Sequence, residues 1–220
     1  MKYAVVDLEM CKVPKPLRSV NYKYSQETIQ IGAVLLDENY EIIGEFNTYV
    51  SPEYGRMDSY IKRLTGIKVE DIINAPKMSE ALDMFTQWLP ESDVCCVAWS
   101  ESDDAQIRHE MEAKGLVNPR MDELLMSWID CQKTFDDRME TDRAFSLEEA
   151  LIAADIPSEG RAHDGFFDAY NTALLFAKMK RNPNFELHPA YKAAHEGKVE
   201  HLEITLGDMF SGLLLQCTAS

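Results

Sequence analysis

The first nine residues contain the feature that most restricts the fold, an alternating segment that ends in two acids. From Tyr3 to Glu9, side chains at odd positions share one face and apolar side chains at even positions share the other. This alternation is typical of a β-strand. The segment is largely apolar, so we expect it to be central in a sheet, where unpaired carboxylates are costly to bury. A cation between Asp7 and Glu9 removes that cost; the alternative is an ordinary solvent-facing strand face.

Two further β-rich segments follow, and helical and strand patterns alternate after them. Residues 28–36 and 40–50 flank Asp37-Glu38-Asn39, a hairpin signal, so the first three strands predict an antiparallel meander. Residues 11–27 contain Pro14 and Pro16 and are predicted to be a loop. Helices are predicted over 57–64, 78–89, 103–114, 146–154 and 164–180, and a strand over 93–99. Residues 124–131 are ambiguous, with strand favoured, and the order of elements predicts an α/β fold.

The length and composition favour one full domain with a short appendage. The chain has 220 residues, of which 45% are hydrophobic and 27% charged, which is enough to bury a core. We place the domain at residues 1–182 and treat residues 183–220, where the composition becomes polar and mixed, as a C-terminal appendage. Residues 209–215 are apolar enough to dock on the body of the protein or on a second copy, so a homodimer is one expectation.

Composition also predicts a cytoplasmic protein. No apolar run approaches the roughly 20 residues of a membrane span, and the acid at position 7 comes too early for a secretory signal. The five cysteines (11, 95, 96, 131 and 217) form no C-x-x-C pair, which argues for a reducing compartment and against structural zinc. The net charge of −16 is a poor overall match for nucleic acid. This charge does not exclude a nuclease, because a site that binds cations must be acidic. It predicts that such a protein depends on metal ions and on local basic patches.

A third acidic position follows the apolar strand that ends at Trp99. A carboxylate in the first turn of a helix is stabilised by the helix dipole, although acids are common there without any function. Asp103 lies one turn before Ile107 and is predicted to point towards the core side, whereas Asp104 is rotated towards solvent. We therefore favour Asp103 as a metal ligand and keep Asp104 as the alternative.

The segment 162–168 adds a histidine and a further acid. Asp164 is predicted to cap a long helix, which places His163 in the preceding loop and Asp168 in the first turns. Taken singly, the two are an ordinary surface-loop histidine and an ordinary first-turn acid. A loop position, however, leaves the imidazole of His163 free to swing towards the acids.

These side chains together predict more than any of them does alone. Four acids at strand ends and helix starts, with one loop histidine, fit a two-metal phosphodiesterase site: Asp7, Glu9, Asp103, Asp168 and His163. Oxygen ligands suit Mg²⁺ or Mn²⁺. Two such ions about 3.5–4 Å apart clamp the attacking and leaving oxygens of an in-line displacement. A histidine with a pKa near neutrality then takes the proton from the attacking water.

The same residues, in the same order, resemble the three motifs of the DEDDh (DnaQ-like) 3′-5′ exonuclease superfamily: Asp7-x-Glu9, the acid after the Trp-ended strand, and His163-x-x-x-x-Asp168. Intervening segments also resemble this superfamily, namely Ile29-Gln30-Ile31-Gly32-Ala33-Val34 (second strand), Leu64-Thr65-Gly66-Ile67 with Ala75-Pro76 (substrate-side loop) and Ser146-Leu147-Glu148-Glu149-Ala150-Leu151 (the helix before the last motif). The resemblance covers residues 1–180 and is strongest to the branch of Eri-type RNA exonucleases and their bacterial relatives.

This resemblance implies a ribonuclease H-like fold, a mixed sheet with an antiparallel meander and then parallel strands, flanked by helices. It implies hydrolysis at the 3′ ends of single-stranded RNA or DNA, with RNA slightly favoured, and release of nucleoside 5′-monophosphates. The four acids then hold two Mg²⁺ or Mn²⁺ ions, and His163 is the general base. Met10 is expected to contact the terminal nucleotide and Ile67 its base. Many relatives carry Ala-Thr or Thr-Thr where this chain has Met10-Cys11.

Three alternatives compete with this interpretation. His163-Asp164 is also the dipeptide of HD phosphohydrolases, but those resemble helical bundles and the first fifty residues here are β-rich. A haloacid-dehalogenase-like phosphatase requires Asp at position 9, where this chain has Glu9. The main alternative is a catalytically weak or inactive RNA- or protein-binding module on the same fold, and the presence of all five expected side chains argues against it.

Overall fold

The computed structural model describes residues 1–18, 22–140 and 143–188, which build a mixed five-stranded sheet flanked by helices. The strands are β1 (Lys2–Lys12), β2 (Gln26–Leu36), β3 (Ile42–Tyr49), β4 (Val94–Ala98) and β5 (Trp128–Asp130). Their order is β3-β2-β1-β4-β5, so β1 is the central strand. β1, β2 and β3 pair antiparallel, and β4 and β5 continue the sheet in parallel with β1. The predicted meander followed by parallel strands is confirmed.

The helices of the described residues are α1 (Ser59–Thr65), α2 (Val69–Ile73), α3 (Met78–Trp88), α4 (Ser102–Lys114), α5 (Pro119–Leu124), α6 (Cys131–Met139), α7 (Leu147–Ala153) and α8 (Gly165–Arg181). The sequence did not predict α2, α5 or α6. Helices shorter than about 12 residues owe their stability to tertiary packing rather than to intrinsic propensity, so their local sequence carries a weak signal.

The loop predicted over residues 11–27 is shorter than expected. β1 continues to Lys12 and β2 begins at Gln26, and these two residues lie opposite each other in the sheet. A short 3₁₀ helix, Lys15–Leu17, lies between the strands. Residues 124–131 are divided between the end of α5, the three residues of β5 and the start of α6. The favoured strand is therefore confirmed, although it is shorter than the segment.

The predicted signals at helix ends are confirmed. The side chain of Ser146 accepts a hydrogen bond from the backbone of Glu149, whose carboxylate accepts one in return from the backbone of Ser146. Asp164 caps α8 by accepting from the amide of Phe166, and α4 ends at Gly115 in the left-handed conformation. Each signal acts over a few residues, so the local sequence is sufficient to predict it.

The two faces of β1 pack against different helices, and this decides where its acids point. Ala4, Val6 and Leu8 are buried in a core shared with α3, α4 and α5. On the opposite face, Tyr3 makes an edge-to-face contact with Phe176 of α8, with ring centroids 5.1 Å apart. Because side chains alternate along a strand, the acid at position 7 lies on the α8 side of the sheet.

Helix α8 approaches the sheet closely through a pair of glycines. A Cβ atom on Gly32 of β2 would lie 2.2 Å from the carbonyl carbon of Gly165, so no larger residue fits there. The fully buried side chain of Gln30 donates to Asp164 Oδ1 at 3.1 Å and accepts from the amide of Gly165 at 3.1 Å. These contacts fix the first turn of α8 against the part of β1 that carries the acids.

A buried ion cluster holds the segment that leads into α1. Lys114 Nζ lies 2.7 Å from carboxylate oxygens of both Glu27 and Glu110. Glu27 also accepts hydrogen bonds from the backbone amides of residues 53, 54 and 55. β2, α4 and the loop after β3 are thereby joined, which fixes the starting point of α1.

Residues Met1–Glu186 form one compact unit, and Leu187–Ser220 are separated as a second unit of which the structure describes only residues 187 and 188. The domain boundary at residue 182 therefore stays a prediction, and the apolar segment 209–215 and Cys217 lie outside the described residues. Cys95 and Cys96 are buried with free thiols, as expected for core residues. In the part of the chain that is described, no helix is long and apolar enough to cross a membrane.

Candidate active site

Asp7 lies in the middle of the central strand and Glu9 two residues further on, both beyond the part of β1 that pairs with β4. The prediction that the acids end this strand is wrong, because β1 continues to Lys12 in its pairing with β2. Glu9 is buried and lies opposite Gln30 of β2. A β-bulge between Glu9 and Met10 changes the register directly after the second acid. Bulges of this kind redirect side chains at functional sites. Asp7 and Glu9 thus share one face of the strand, and the regular register ends directly after them, before Met10.

Asp103 reaches the same place from the first turn of α4. Its carboxylate is 4% exposed, accepts a hydrogen bond from the amide of Leu8 at 3.0 Å, and lies 3.3 Å from the hydroxyl of Ser102. β4 runs parallel to β1, so the helix that follows β4 begins at the edge of the sheet where the acids of β1 lie. Asp104 instead pairs with Arg108 on the outer side of α4, at 3.2 Å. The predicted orientations of Asp103 and Asp104 are both confirmed.

Asp168 and His163 come from α8 and the loop before it. Asp168 Oδ2 accepts a hydrogen bond from the backbone amide of His163 at 2.9 Å. His163 has a left-handed backbone (φ 61°) and an exposed side chain. The loop is held by Asn171, whose side chain accepts from the amide of Glu159 and donates to its carbonyl. The histidine is on a loop, as predicted, and its backbone lies directly beside Asp168. The anchoring of this loop by Asn171 was not predicted.

The structure brings these residues together at one edge of the sheet. Candidate ligand atoms of Glu9, His163 and Asp168 all lie within 4.8 Å of one another. The negative charges of Asp103, Asp168 and Glu9 all contribute to raising the pKa of Asp7, so the four acids share one electrostatic environment. Within the described residues, no Lys or Arg forms an ion pair with any of these four acids.

The proximity and burial of the acids change their ionisation. Burial raises the pKa of Asp7 well above the usual range, and the neighbouring carboxylates raise it further. Burial, together with the charge of Asp168, raises the pKa of Glu9 to about 8. Burial also raises the pKa of Asp103 to about 7, although the hydrogen bond from Leu8 opposes this shift. The cluster thus needs either protons or cations to be stable at neutral pH.

The pKa of Asp168 is also raised, but less strongly than those of the other three acids. Burial raises its pKa, while the hydrogen bond from the backbone of His163 and the charge of the imidazole lower it. Asp168 is therefore the acid whose charge this chain itself stabilises best. A cation bound at the cluster would supply the corresponding stabilisation for the other three.

The two residues expected to contact the terminal nucleotide pack in different parts of the core. Met10 is partly buried and packs on the main core. Ile67, which follows α1, is 3% exposed and packs with Cys11, Ile29 and Ile61. Ile67 therefore stabilises the α1–α2 segment, and its contact with a base stays a prediction.

Sequence reasoning did not identify several residues that position the site. Gln30 orients the N-terminus of α8, and its only signal in the sequence is that it is a polar residue in an apolar strand. Asn171 holds the histidine loop. Arg161 donates hydrogen bonds to backbone carbonyls of Arg63 and Leu64 in α1. These contacts join residues distant in the chain, which is why no local pattern predicts them.

Comparison with known proteins identifies the family of this chain. The exonuclease family model RNase_T matches residues 4–176, and the chain is 31% identical over 177 residues to ERI1 exoribonuclease 2 of Danio rerio. It is 28% identical over 177 residues to the 3′-5′ exonuclease crn-4 of Caenorhabditis elegans, covering 73% of this chain and 58% of crn-4. The chain belongs to the RNase_T exonuclease family.

The solved structures agree with this fold. The nuclease domain of 3′hExo, a DEDDh family member bound to rAMP, aligns with a TM-score of 0.69 at 21% identity, over 85% of this chain and 94% of that domain. The ribonuclease H-like architecture is thereby confirmed. The match to the zebrafish exoribonuclease covers 70% of this chain but only 31% of the relative, so this chain corresponds to a part of the longer protein.

Proposed function

We propose that this protein is a metal-dependent 3′→5′ exonuclease that removes nucleoside 5′-monophosphates from the 3′ ends of single-stranded nucleic acid. The observation that carries this proposal is the cluster of four carboxylates without a basic ion-pair partner among the described residues. Acids arranged in this way are unstable alone and well suited to divalent cations. Membership of the exonuclease family supports the reaction class.

The donor set fits Mg²⁺ or Mn²⁺, and we infer two ions. Four carboxylates from three separate elements supply hard oxygen ligands and no thiolate: Asp7, Glu9, Asp103 and Asp168. Divalent ions bound there would polarise the scissile phosphodiester and stabilise the charge that develops during displacement. The raised pKa values of Asp7, Glu9 and Asp103 indicate that the charged form of the cluster is unfavourable without a cation.

His163 is assigned the role of general base. Its side chain is exposed in the cleft, next to the carboxylates of Glu9 and Asp168. From this position the imidazole can accept a proton from a water molecule at the cluster, and the adjacent Asp168 carboxylate stabilises the imidazolium that results. The same proximity makes His163 a candidate metal ligand.

RNA is the favoured substrate. The relatives include proteins named as exoribonucleases, such as the zebrafish one. The 2′-hydroxyl distinguishes RNA from DNA at the level of one nucleotide, so matched RNA and DNA strands of one sequence test this preference. Equal rates on both strands would contradict it. A homodimer and a cytoplasmic location stay predictions, which sedimentation analysis and localisation of the tagged protein would test.

The activity itself is tested with purified protein and a single strand labelled at its 3′ end. With Mg²⁺ or Mn²⁺ we expect release of labelled mononucleotide, and with EDTA we expect none. Asp7→Ala should abolish release by removing a carboxylate of the cluster. Binding of the strand without release of mononucleotide, under all metal conditions, would favour the binding-module alternative.

A further inference from the structure

We propose, on the basis of the function proposed above, that a basic groove beside the site binds the phosphate backbone of the strand on the 5′ side of the scissile bond. The basic groove consists of Lys62, Arg63, Lys68 and Arg161, together with Gly66, Ile67 and Val69 between them. Its occupant is a single-stranded nucleic acid, bound through its phosphates rather than through its base sequence.

The groove is a local excess of positive charge on an acidic protein. It has a volume of about 570 Å³, and its four basic side chains are exposed. None of the four forms an ion pair within the described ranges, although Glu70 also lines the groove. The whole chain has only 22 basic residues against 38 acidic ones. A concentration of cations here is therefore the local patch that an acidic nuclease requires.

Arg161 connects this groove to the histidine loop. Its guanidinium lies over Gly66, where an added Cβ would come 2.2 Å from Nη1. It donates to the carbonyl of Leu64 at 3.2 Å and also to that of Arg63. Arg161 precedes His163 by two residues, so their Cα atoms are at most about 7 Å apart. The groove thus includes a residue of the loop that carries the proposed general base.

A second pocket, which His163 itself lines, has the wrong charge for a nucleic acid. The pocket of about 170 Å³ between α7 and α8 is lined by His163 and Asp168 and also by Glu148 and Glu159, with no Lys or Arg. A strand that leaves the site through that pocket would meet repulsion between phosphates and carboxylates. The acidic lining of this pocket and the basic lining of the groove therefore favour a strand that runs over the groove.

An exposed aromatic ring adds a second feature suited to single strands. Tyr60 lies in α1 three residues before Arg63, and half of its side chain is exposed. Lys12 Nζ lies over its ring, 5.3 Å from the centroid, so a base would stack in place of that ammonium group or on the other face. Nonspecific single-strand binding combines a basic track for phosphates with aromatic rings on which bases stack. Both features are present on the outer surface of α1.

The test compares two double variants that each remove two lysine charges. Lys62→Gln/Lys68→Gln neutralises half of the groove. Lys2→Gln/Lys180→Gln is the matched control, because Lys2 starts β1 and Lys180 is near the end of α8, both remote from the acids along their elements. Far-UV circular dichroism and thermal unfolding check that both variants are folded. The probe is a short single-stranded oligonucleotide with a 5′ fluorophore and hydrolysis-resistant phosphorothioate linkages, and anisotropy gives its Kd in Mg²⁺.

The salt dependence of Kd is the decisive readout. Each phosphate contact on a single strand contributes about 0.7 to the slope of log K against log salt, so losing two contacts lowers the slope by about 1.4. Between about 50 and 200 mM salt, the wild type should therefore lose about sevenfold more affinity than Lys62→Gln/Lys68→Gln. The control should keep the wild-type slope. Equal slopes for all three proteins, or an equal decrease in both variants, would overturn the proposal.

A second substrate separates this proposal from the proposed activity. The 4-nitrophenyl ester of thymidine 5′-monophosphate has a scissile phosphate but no strand on its 5′ side. The ratio of kcat/KM for an oligonucleotide to kcat/KM for this ester should fall in the groove variant and stay constant in the control. If the wild type hydrolyses neither substrate while the slopes still differ, the exonuclease function fails and the groove remains. If it hydrolyses both and the ratio is unchanged in the groove variant, the groove proposal fails alone.

Discussion

The backbone amide of Leu8 in the central strand donates a hydrogen bond of 3.0 Å to Asp103 Oδ1 in the first turn of α4. This contact connects two elements that are 95 residues apart in the chain. It holds one carboxylate oxygen of Asp103 against β1 at Leu8, the residue between Asp7 and Glu9. The same side chain thereby joins α4 to the sheet and adds its charge to the acidic cluster.

Asp103 and its neighbour in sequence provide a matched pair of variants. Asp103→Asn keeps an oxygen that accepts from Leu8 but removes a charge from the cluster. We expect kcat/KM to fall by about 10²–10³-fold, the range for losing one group that stabilises transition-state charge. Asp104→Asn should have little effect, because it loses only a surface ion pair with Arg108, worth about 1 kcal/mol or less. Steady-state kinetics on one oligonucleotide check both, and equal losses would contradict the assignment of Asp103.

The raised pKa values predict how stability depends on pH without metal. A carboxyl group whose pKa is higher in the folded state binds more protons there, so the free energy of unfolding decreases as pH rises. For Asp103 and Glu9 this decrease should extend from about pH 4, near their ordinary values, to the folded values of about 7 and about 8. Urea unfolding in EDTA across this pH range measures the decrease in the free energy of unfolding. Saturating Mg²⁺ should remove most of this decrease.

The control for this experiment is the variant Asp7→Asn/Glu9→Gln. It lacks two of the titrating carboxylates, so its stability without metal should depend less on pH than that of the wild type. It should also gain less stability from Mg²⁺. Parallel pH profiles for the two proteins would show that the acidic cluster does not cause the dependence.

The close approach of α8 to the sheet is tested with two strand glycines. Gly32→Ala places a Cβ 2.2 Å from the backbone of Gly165, so α8 must move, and we expect a loss of about 1–3 kcal/mol in the free energy of unfolding. Activity should fall as well, because Asp168 and the histidine loop move with the helix. Gly44→Ala is the control, since its Cβ would lie 3.4 Å from Trp88, close to ordinary contact. Urea unfolding and kinetics are measured for both variants. Similar losses in the two variants would indicate a general effect of replacing glycine rather than the close approach of α8.

The sequence predicted the parts of the fold that depend on local patterns. The alternation of residues 3–9, the capping box at Ser146 and the cap at Asp164 each act within a few residues and were all confirmed. The order of the acids and the histidine along the chain was enough to predict that they meet at one edge of the sheet. Their roles as metal ligands and general base stay predictions.

The contacts that position these residues were not predictable in this way. Gln30 bonds to Gly165 across 135 positions, and Lys114 lies between two buried carboxylates, one of them on another element. α2, α5 and α6 form where the tertiary structure supports short segments rather than where the sequence has a helical repeat. Tertiary packing thus supplies the precision of the site, and the local sequence supplies its components.

His163 is the residue whose role can be separated most sharply. If it is the general base, His163→Ala should lower kcat by about 10²–10⁴-fold with little change in the Kd for a hydrolysis-resistant strand. If His163 is instead a metal ligand beside Glu9 and Asp168, the affinity for Mn²⁺, measured by calorimetry without nucleic acid, should fall. Unchanged Mn²⁺ affinity together with a large loss of kcat supports the role of general base, and the reverse pattern contradicts it.

The control for this experiment is His109→Ala. His109 lies on the outer part of α4, where it stacks on Tyr24, so its replacement should change neither kcat nor the Mn²⁺ affinity.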